Sequence, residues 1–258
     1  MPSTFDEIFA DLPVMAIFRG MEPQRCVELA ERAWAIGLRC VEVPLQGPES
    51  RQGLEETVKL GASRGHLVGA GTIISVELVR QAAEAGAVFT VAPGFDPEVA
   101  EASRAAGMPH LPGVATASEV QRALASGLTW MKAFPATVLG TGWFGAMAGP
   151  FPGVRFVATG GIDADNAAAY LQAGARVVAV GSALRDDSQV DRLAPLLRRL
   201  RSRGRSSAIL VGHAIGMLIE AGPFRTMPAS RPANPRWAAS PSARTLPTGP
   251  ATRLRPRR

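Results

Sequence analysis

One lysine of the chain lies inside an apolar run, Leu128 to Ala133, where a buried strand is expected. The sequence has 28 lysines and arginines together, but only Lys59 and Lys132 are lysines. A desolvated lysine can lose its proton and attack a ketone, whereas arginine stays protonated and cannot form a Schiff base. Lys59 lies on the polar face of a predicted helix, so we interpret it as a surface residue. For Lys132 the residues alone leave two roles open: a Schiff-base nucleophile, or a structural charge that reaches solvent or pairs with an acid.

A second candidate is Glu42, which lies between the apolar residues Val41 and Val43. A carboxylate in such a run points into a barrel interior or a helix layer, where it needs a partner or a function. Its functional role would be that of a general acid and base, acting directly or through one water molecule. Its structural role would be an ion pair with Lys132 or Arg19, and the two roles are compatible.

A recurring sequence pattern predicts the strands and helices that position these residues. In each copy, a helical pattern ends in a small residue and a glycine, and a short apolar run follows. Glycine after the last helical turn lets the chain reverse into a strand, and runs that are apolar on both faces are typical of buried parallel strands. Five copies are plain, two are weaker, and Val14–Phe18 brings the number of strands to eight. The plain copies lead into Leu38–Val43, Ala87–Ala92, Met108–Leu111, Leu128–Ala133 and Ala175–Val180, and the weaker ones into Leu67–Ala70 and Val154–Ala158.

Strict alternation of these strands with helical patterns predicts an α/β fold. Eight units of roughly 23 residues favour a closed (β/α)₈ TIM barrel over an open doubly wound sheet. A short N-terminal helix over Thr4–Ala10 is predicted to cover the bottom of the barrel.

In a barrel of this class the active residues come from the C-terminal ends of the strands. Arg19 follows the first strand and is suited to clamp a carboxylate or a phosphate through two hydrogen bonds. The last two strands end in glycine-rich turns, whose backbone N–H groups would bind phosphate with the help of a helix N-terminus. Each glycine-rich end alone is equally typical of a tight turn. The residues at the third, fourth and fifth ends are Thr72, Pro93 and Gly113, and those at the last two ends are Gly160, Gly161 and Ser182.

Composition argues against several classes of function. Cys26 and Cys40 lie in separate predicted elements, which disfavours a disulfide framework or zinc site and fits a reducing cytoplasm. No cluster of metal-ligating residues ends the strands, so neither a metal nor a cofactor is predicted. No run reaches the roughly 18 apolar residues of a membrane span, and the N-terminus lacks the pattern of a signal peptide.

The basic character of the chain belongs to its C-terminal part. Residues 205–258 contain nine arginines and one glutamate, a net charge of +8 that exceeds the +6 of the whole chain, so residues 1–204 carry −2. The sequence therefore predicts a barrel domain over 1–204 without a nucleic-acid-binding surface. Residues 205–258, rich in arginine and proline, are predicted to form a disordered tail.

Taken together and in order, the strand ends resemble those of the class I aldolases for 2-keto-3-deoxy-6-phosphogluconate (KDPG) and 2-keto-3-deoxy-6-phosphogalactonate (KDPGal). The resemblance covers roughly residues 5–204. The matching segments are Ala16–Gly20, Val41–Leu45, Gly69–Thr72, Ala92–Gly94, Pro112–Thr116, Met131–Pro135, Thr159–Ile162 and Gly181–Ser182.

This resemblance implies a role for each matched position. Lys132 would form the carbinolamine and Schiff base, and Glu42 would shuttle protons during dehydration and C–C cleavage. The products would be pyruvate and glyceraldehyde 3-phosphate, and no metal would be required because the protonated imine is the electron sink. The implied substrate-binding residues are Arg19, Thr72 and Pro93 for the pyruvate-derived portion, Gly160, Gly161 and Ser182 for the phosphate, and Gly113 nearby.

The loop after the second strand bears on the choice of sugar acid. Gluconate-type members tend to have Glu-Val-Thr-Leu-Arg there, whereas this chain has Glu42, Val43, Pro44, Leu45 and Gln46. The proline and the neutral glutamine favour the galactonate branch, with gluconate as the alternative.

Other functions remain open at this point. Another phosphate-handling barrel, an isomerase or synthase that uses no imine, would also fit the strand ends. A non-enzymatic barrel scaffold, or a protein that binds through its tail, is a third hypothesis. The resemblance further implies a homotrimer.

Overall fold

The computed structural model describes residues 4–10 and 12–201, so the predicted tail over 205–258 lies outside the described residues. Within the described part, nine parallel strands alternate with helices. The strands are β1 (Val14–Ile17), β2 (Cys40–Pro44), β3 (Leu67–Gly71), β4 (Thr90–Val91), β5 (His110–Leu111), β6 (Gly113–Val114), β7 (Trp130–Ala133), β8 (Arg155–Thr159) and β9 (Val177–Val180).

The helices surround these strands. They are α1 (Phe5–Ile8), α2 (Pro23–Ala35), α3 (Pro48–Arg64), α4 (Val76–Glu84), α5 (Pro97–Ala105), α6 (Ala117–Ala125), α7 (Ala136–Leu139), α8 (Gly142–Ala148), α9 (Ala167–Gln172) and α10 over residues 187–201, with a 3₁₀ turn at Ser182–Arg185. No helix in the described part is long and apolar enough to cross a membrane.

The sheet is a barrel of eight strand positions, one of which is divided by Pro112. The hydrogen-bonded order runs β5-β4-β3-β2-β1-β9-β8-β7-β6, so the two ends of the order are neighbours along the chain. Leu111 pairs with β4 on one side, and Gly113 pairs with β7 on the other. The predicted strand Met108–Leu111 is observed as β5, and Pro112, which has no N–H to donate to a ladder, separates it from the short β6, which was not predicted. The predicted (β/α)₈ barrel is thus confirmed.

The barrel interior is apolar at the N-terminal ends of the strands and polar above. Interior side chains include Met15, Ile17, Cys40, Val91, Leu111, Val157, Val177 and Ala179. A larger apolar layer fills the space between strands and helices, because alternate residues of a strand point to opposite faces.

Local signals set the ends of the helices. Thr116 and Glu119 form a reciprocal capping box at the start of α6, and Asp96 caps α5 ahead of Pro97. The predicted N-terminal helix is observed as the short α1, whose N-terminus is capped by the Thr4 side chain. The Phe5 and Phe9 rings reach the bottom of the barrel interior, where both lie near Trp130.

Candidate active site

Lys132 and Glu42 face the barrel interior from opposite strands. Lys132 lies on β7 and Glu42 on β2, and three strand positions separate β2 from β7 in either direction around the barrel. Alternation places the Lys132 side chain on the same face as the interior Trp130, and that of Glu42 on the same face as the interior Cys40. Lys132 is 1% exposed and Glu42 is fully buried, so two ionisable groups share a water-poor interior.

Burial shifts the ionisation of both groups toward their neutral forms. The pKa of Glu42 is raised by desolvation, against the opposing attraction of Lys132 and Arg19. The pKa of Lys132 is lowered by desolvation and by Arg19, while Glu42 acts in the opposite direction. Among the described residues, neither carboxylate oxygen of Glu42 has a hydrogen-bond partner. Within the described residues, the Glu42 carboxyl is therefore not held in a fully satisfied structural ion pair.

The space for the Glu42 carboxyl is provided by a glycine on the neighbouring strand. A Cβ atom on Gly71 would overlap Oε1 of Glu42. Gly69, two residues earlier on the same face of β3, pairs directly with Glu42 and makes room for the Phe89 ring. The two interior-facing glycines of β3 thus admit one polar and one aromatic side chain from adjacent strands.

A cavity of about 90 Å³ opens at the C-terminal ends of β1, β8 and β9, and its lining residues do not include Lys132 or Glu42 themselves. Four of the predicted substrate-binding residues line it, namely Arg19, Gly160, Gly161 and Ser182. Gly160 and Gly161 have φ angles of 99° and 75°, which favour glycine. The cavity therefore brings together the guanidinium group of Arg19, the backbone of two glycines and the hydroxyl group of Ser182. Such a set of hydrogen-bond donors is suited to binding an anionic group.

Three other predicted residues lie on neighbouring strand ends but do not line this cavity. Thr72 directly follows Gly71 and has a φ of 58°, a strained conformation for a β-branched residue. Pro93 and Gly113 meet each other, since a Cβ atom on Gly113 would overlap the Pro93 carbonyl, and the Gly113 N–H donates to the Gly94 carbonyl at 3.0 Å. This close approach is a sufficient structural reason for glycine at position 113.

Two further residues of the site were missed in the sequence. The Phe134 ring lines the cavity and lies 5.0 Å from the Lys132 Nζ, measured to the ring centroid. Thr159 also lines the cavity, and its buried Oγ1 has no hydrogen-bond partner among the described residues. Alternation along β8 from the interior Val157 could have identified Thr159, and alternation along β7 from Trp130 and Lys132 could have identified Phe134.

A cavity of about 710 Å³ is at the opposite end of the barrel. The turns that precede β5 and β7 line it together with the start of α1. We place the chemistry at the smaller cavity because it lies at the C-terminal ends of the strands and because one of its lining residues, Phe134, has its ring 5.0 Å from the Lys132 amine. Among residues 4–10 and 12–201, no group of three or more His, Cys, Asp or Glu side chains is arranged to hold a metal ion.

Comparisons with known proteins agree on one family. A model of the family described as KDPG and KHG aldolase matches residues 5–194. A 2-dehydro-3-deoxy-phosphogluconate aldolase of Treponema pallidum is 40% identical over 66% of this chain and 79% of its own length. A probable 2-dehydro-3-deoxy-6-phosphogalactonate aldolase of Rhizobium meliloti is 34% identical over 67% of this chain and 81% of its own.

A solved structure extends the similarity to the fold. The KDPG aldolase of Legionella pneumophila, with pyruvate captured as a covalent carbinolamine intermediate, superposes with a TM-score of 0.66. It is 30% identical to this chain, and the superposition covers 75% of this chain and 96% of the Legionella protein.

Proposed function

This chain belongs to the family of KDPG and KHG aldolases, carbon–carbon lyases of class I, and on that basis we propose that it cleaves a phosphorylated 2-keto-3-deoxy sugar acid through a Schiff base on Lys132. The observation that carries the proposal is the burial of Lys132 and Glu42 on opposite interior strands, together with a small cavity whose lining residue Phe134 lies 5.0 Å from the Lys132 amine.

The proposed reaction begins with attack of the neutral Lys132 amine on the C2 ketone. Glu42 donates a proton to the carbinolamine hydroxyl, which leaves as water and gives the protonated imine. Glu42, now ionised, accepts the proton of the C4 hydroxyl, and the C3–C4 bond breaks as its electron pair moves toward the imine nitrogen. Glyceraldehyde 3-phosphate leaves, C3 of the enamine takes up a proton, and water releases pyruvate and regenerates the amine.

The experiment that tests this mechanism is borohydride reduction in the presence of pyruvate, followed by peptide mass spectrometry. An adduct of reduced pyruvate on Lys132 supports the proposal. Folded protein without an adduct would instead favour the isomerase or synthase hypothesis, in which Lys132 or Glu42 works without an imine.

For Arg19 we propose a contact with the substrate phosphate rather than with the pyruvate carboxylate. Support comes from the cavity that Arg19 shares with Gly160, Gly161 and Ser182, because a single anionic group there would meet all four residues. In this proposal, Thr72 and Pro93 contact the pyruvate-derived portion of the substrate.

Replacing Arg19 with methionine should separate these two roles. We expect KM for the phosphorylated substrate to rise about 10- to 100-fold, the usual loss for a charged hydrogen bond. Pyruvate trapping should keep its wild-type rate at a pH high enough for Lys132 to be neutral with or without the Arg19 charge, which lowers the pKa of Lys132. Steady-state kinetics and trapping on the same protein measure both. The exposed Arg104, changed to methionine, is the matched control. Weakened pyruvate trapping in the Arg19 variant would assign Arg19 to the carboxylate.

The sugar-acid epimer is the finer part of the proposal. The residues Pro44 and Gln46 after Glu42 favour KDPGal, while the 40% identity to the Treponema KDPG aldolase favours KDPG as the second candidate. The ratio of kcat/KM for the two epimers, with pyruvate release coupled to lactate dehydrogenase, decides between them. A ratio above one for KDPGal supports our first choice, and the reverse establishes KDPG.

Assembly, extent and location are also proposals. A homotrimer would cover apolar side chains that the single chain leaves exposed, such as Ile74 at 61% and Val138 at 81%, and light scattering gives its mass. Residues 1–204 are proposed to be the catalytic domain, and truncation after residue 204 should leave cleavage unchanged. A cytoplasmic location is supported by the free cysteines Cys26 and Cys40.

A further inference from the structure

Four aromatic rings lie among the apolar side chains of the barrel interior below the two ionisable groups. Phe5 and Phe9 enter from α1 and stack at 5.7 Å between ring centroids. Phe89, just before β4, meets Phe5 edge-on at 5.8 Å, and Trp130 on β7 lies 5.3 Å from Phe9. We call these four residues the aromatic plug.

Two residues of the plug lie close to the ionisable groups along the sheet. Trp130 is on the strand that carries Lys132, and Phe89 packs against the strand beside Glu42. Trp130 is two residues before Lys132 on β7, on the same interior face, so its ring occupies the layer below the amine. The Phe89 ring covers the bare backbone of Gly69, the residue paired with Glu42. Both rings are buried, Phe89 completely and Trp130 to 6% exposure.

The lower side of the plug is held in place by a charged clamp. The Arg155 guanidinium lies over the Trp130 ring at 5.6 Å and forms a salt bridge of 2.7 Å with Asp6 of α1. These contacts tie α1 to β8 at the bottom of the barrel, beside the cavity of about 710 Å³ that Phe5 and Trp130 help to line.

We propose that the aromatic plug is a functional part of the catalytic centre, which excludes water from below so that Lys132 stays an uncharged nucleophile. The inference rests on the proposed Schiff-base function. The plug residues touch no substrate in this scheme, so they are positioning residues. The plug explains why the lysine is buried from below, while the cavity on the other side of it is lined by Phe134, whose ring lies 5.0 Å from the amine.

The charged and titratable groups that act on Lys132 are few. They are Glu42 on β2, whose charge raises the pKa of Lys132, and Arg19 after β1, whose charge lowers it. Cys40 lies below Glu42 on the same face of β2. Desolvation is the main cause of the lowered pKa of Lys132. Water admitted through a gap in the aromatic plug should therefore move the pKa of Lys132 back toward its ordinary value.

The test is the pH dependence of pyruvate trapping by borohydride in Phe89→Ala and Phe89→Leu variants of the full chain. We expect the acidic limb to move to higher pH in Phe89→Ala, by about one unit, and by less in Phe89→Leu, because fewer Lys132 side chains are neutral at a given pH. Phe144→Ala is the matched control: Phe144 is 1% exposed and packs on Phe156 and Tyr170 in the outer apolar layer.

The outcomes separate the two proposals. A shift of the acidic limb in the Phe89 variants that is absent in Phe144→Ala supports the proposed role of the plug. If Phe89→Ala does not fold, Phe89→Leu alone is used for the test. An unchanged acidic limb in the folded Phe89 variants, or an equal shift in the control, overturns it. Failure of the wild-type protein to trap pyruvate at any pH overturns the Schiff-base function instead.

Discussion

Replacement of Lys132 by methionine is expected to abolish borohydride trapping of pyruvate and to lower kcat/KM for cleavage at least about 10⁴-fold, as removal of a covalent nucleophile does in other enzymes. Methionine retains the length and apolar character of the side chain, so it should fit the buried site on β7. The loss would then come from the missing amine rather than from a disturbed barrel, which circular dichroism can verify.

The chain offers a matched control for this variant, because it contains one other lysine. Lys59 on α3 is exposed and lies outside the candidate site. Lys59→Met should retain wild-type cleavage and the full adduct. Substantial cleavage by folded Lys132→Met, or an adduct mapped to Lys59, would exclude Lys132 as the nucleophile.

Replacement of Glu42 by glutamine is expected to separate imine formation from cleavage. Glutamine cannot exchange a proton, so kcat should fall about 10²- to 10⁴-fold, the usual contribution of a general acid and base. The pyruvate adduct on Lys132 should still form, though more slowly because dehydration has lost its proton donor. Cleavage assays and time-resolved trapping measure the two effects.

The pH dependence gives this variant a second signature. The Glu42 carboxylate raises the pKa of Lys132, so its removal should lower that pKa further. More of the amine is then neutral at a given acidic pH, and the acidic limb of trapping should move to lower pH, opposite to the shift expected for Phe89→Ala. Glu49→Gln, an exposed change at the start of α3, is the control. Wild-type cleavage in Glu42→Gln would assign the proton transfers to another group.

The barrel could be predicted from the sequence because its signals are local and repeated. A glycine after each helix and a strand apolar on both faces mark every unit without reference to the rest of the fold. Pro112 shows the limit of this reasoning: the predicted strand ends at Leu111, and only the pairing with β7 reveals the second short strand after the proline.

The sequence could predict those residues of the candidate site that lie at the ends of strands. Burial of Lys132 and Glu42 followed from their apolar neighbours. The sharing of one cavity by Arg19 and the glycines of β8 did not, because it depends on how the first and last strands meet when the barrel closes. The fit of Phe89 over Gly69 is likewise a contact between strands, which no property of either residue alone indicates.

The order of the strands around the barrel has a consequence for how such an enzyme can diverge. From β7 through β8, β9 and β1 to β2, five consecutive strands carry the nucleophile, the anion cavity and the acid–base group. The loops after β3 to β6 contribute only backbone and small side chains to the described site. Exchange of those loops between relatives would therefore alter the surroundings of the keto acid while leaving the chemical machinery intact, which makes them the natural segments for recombination in the laboratory.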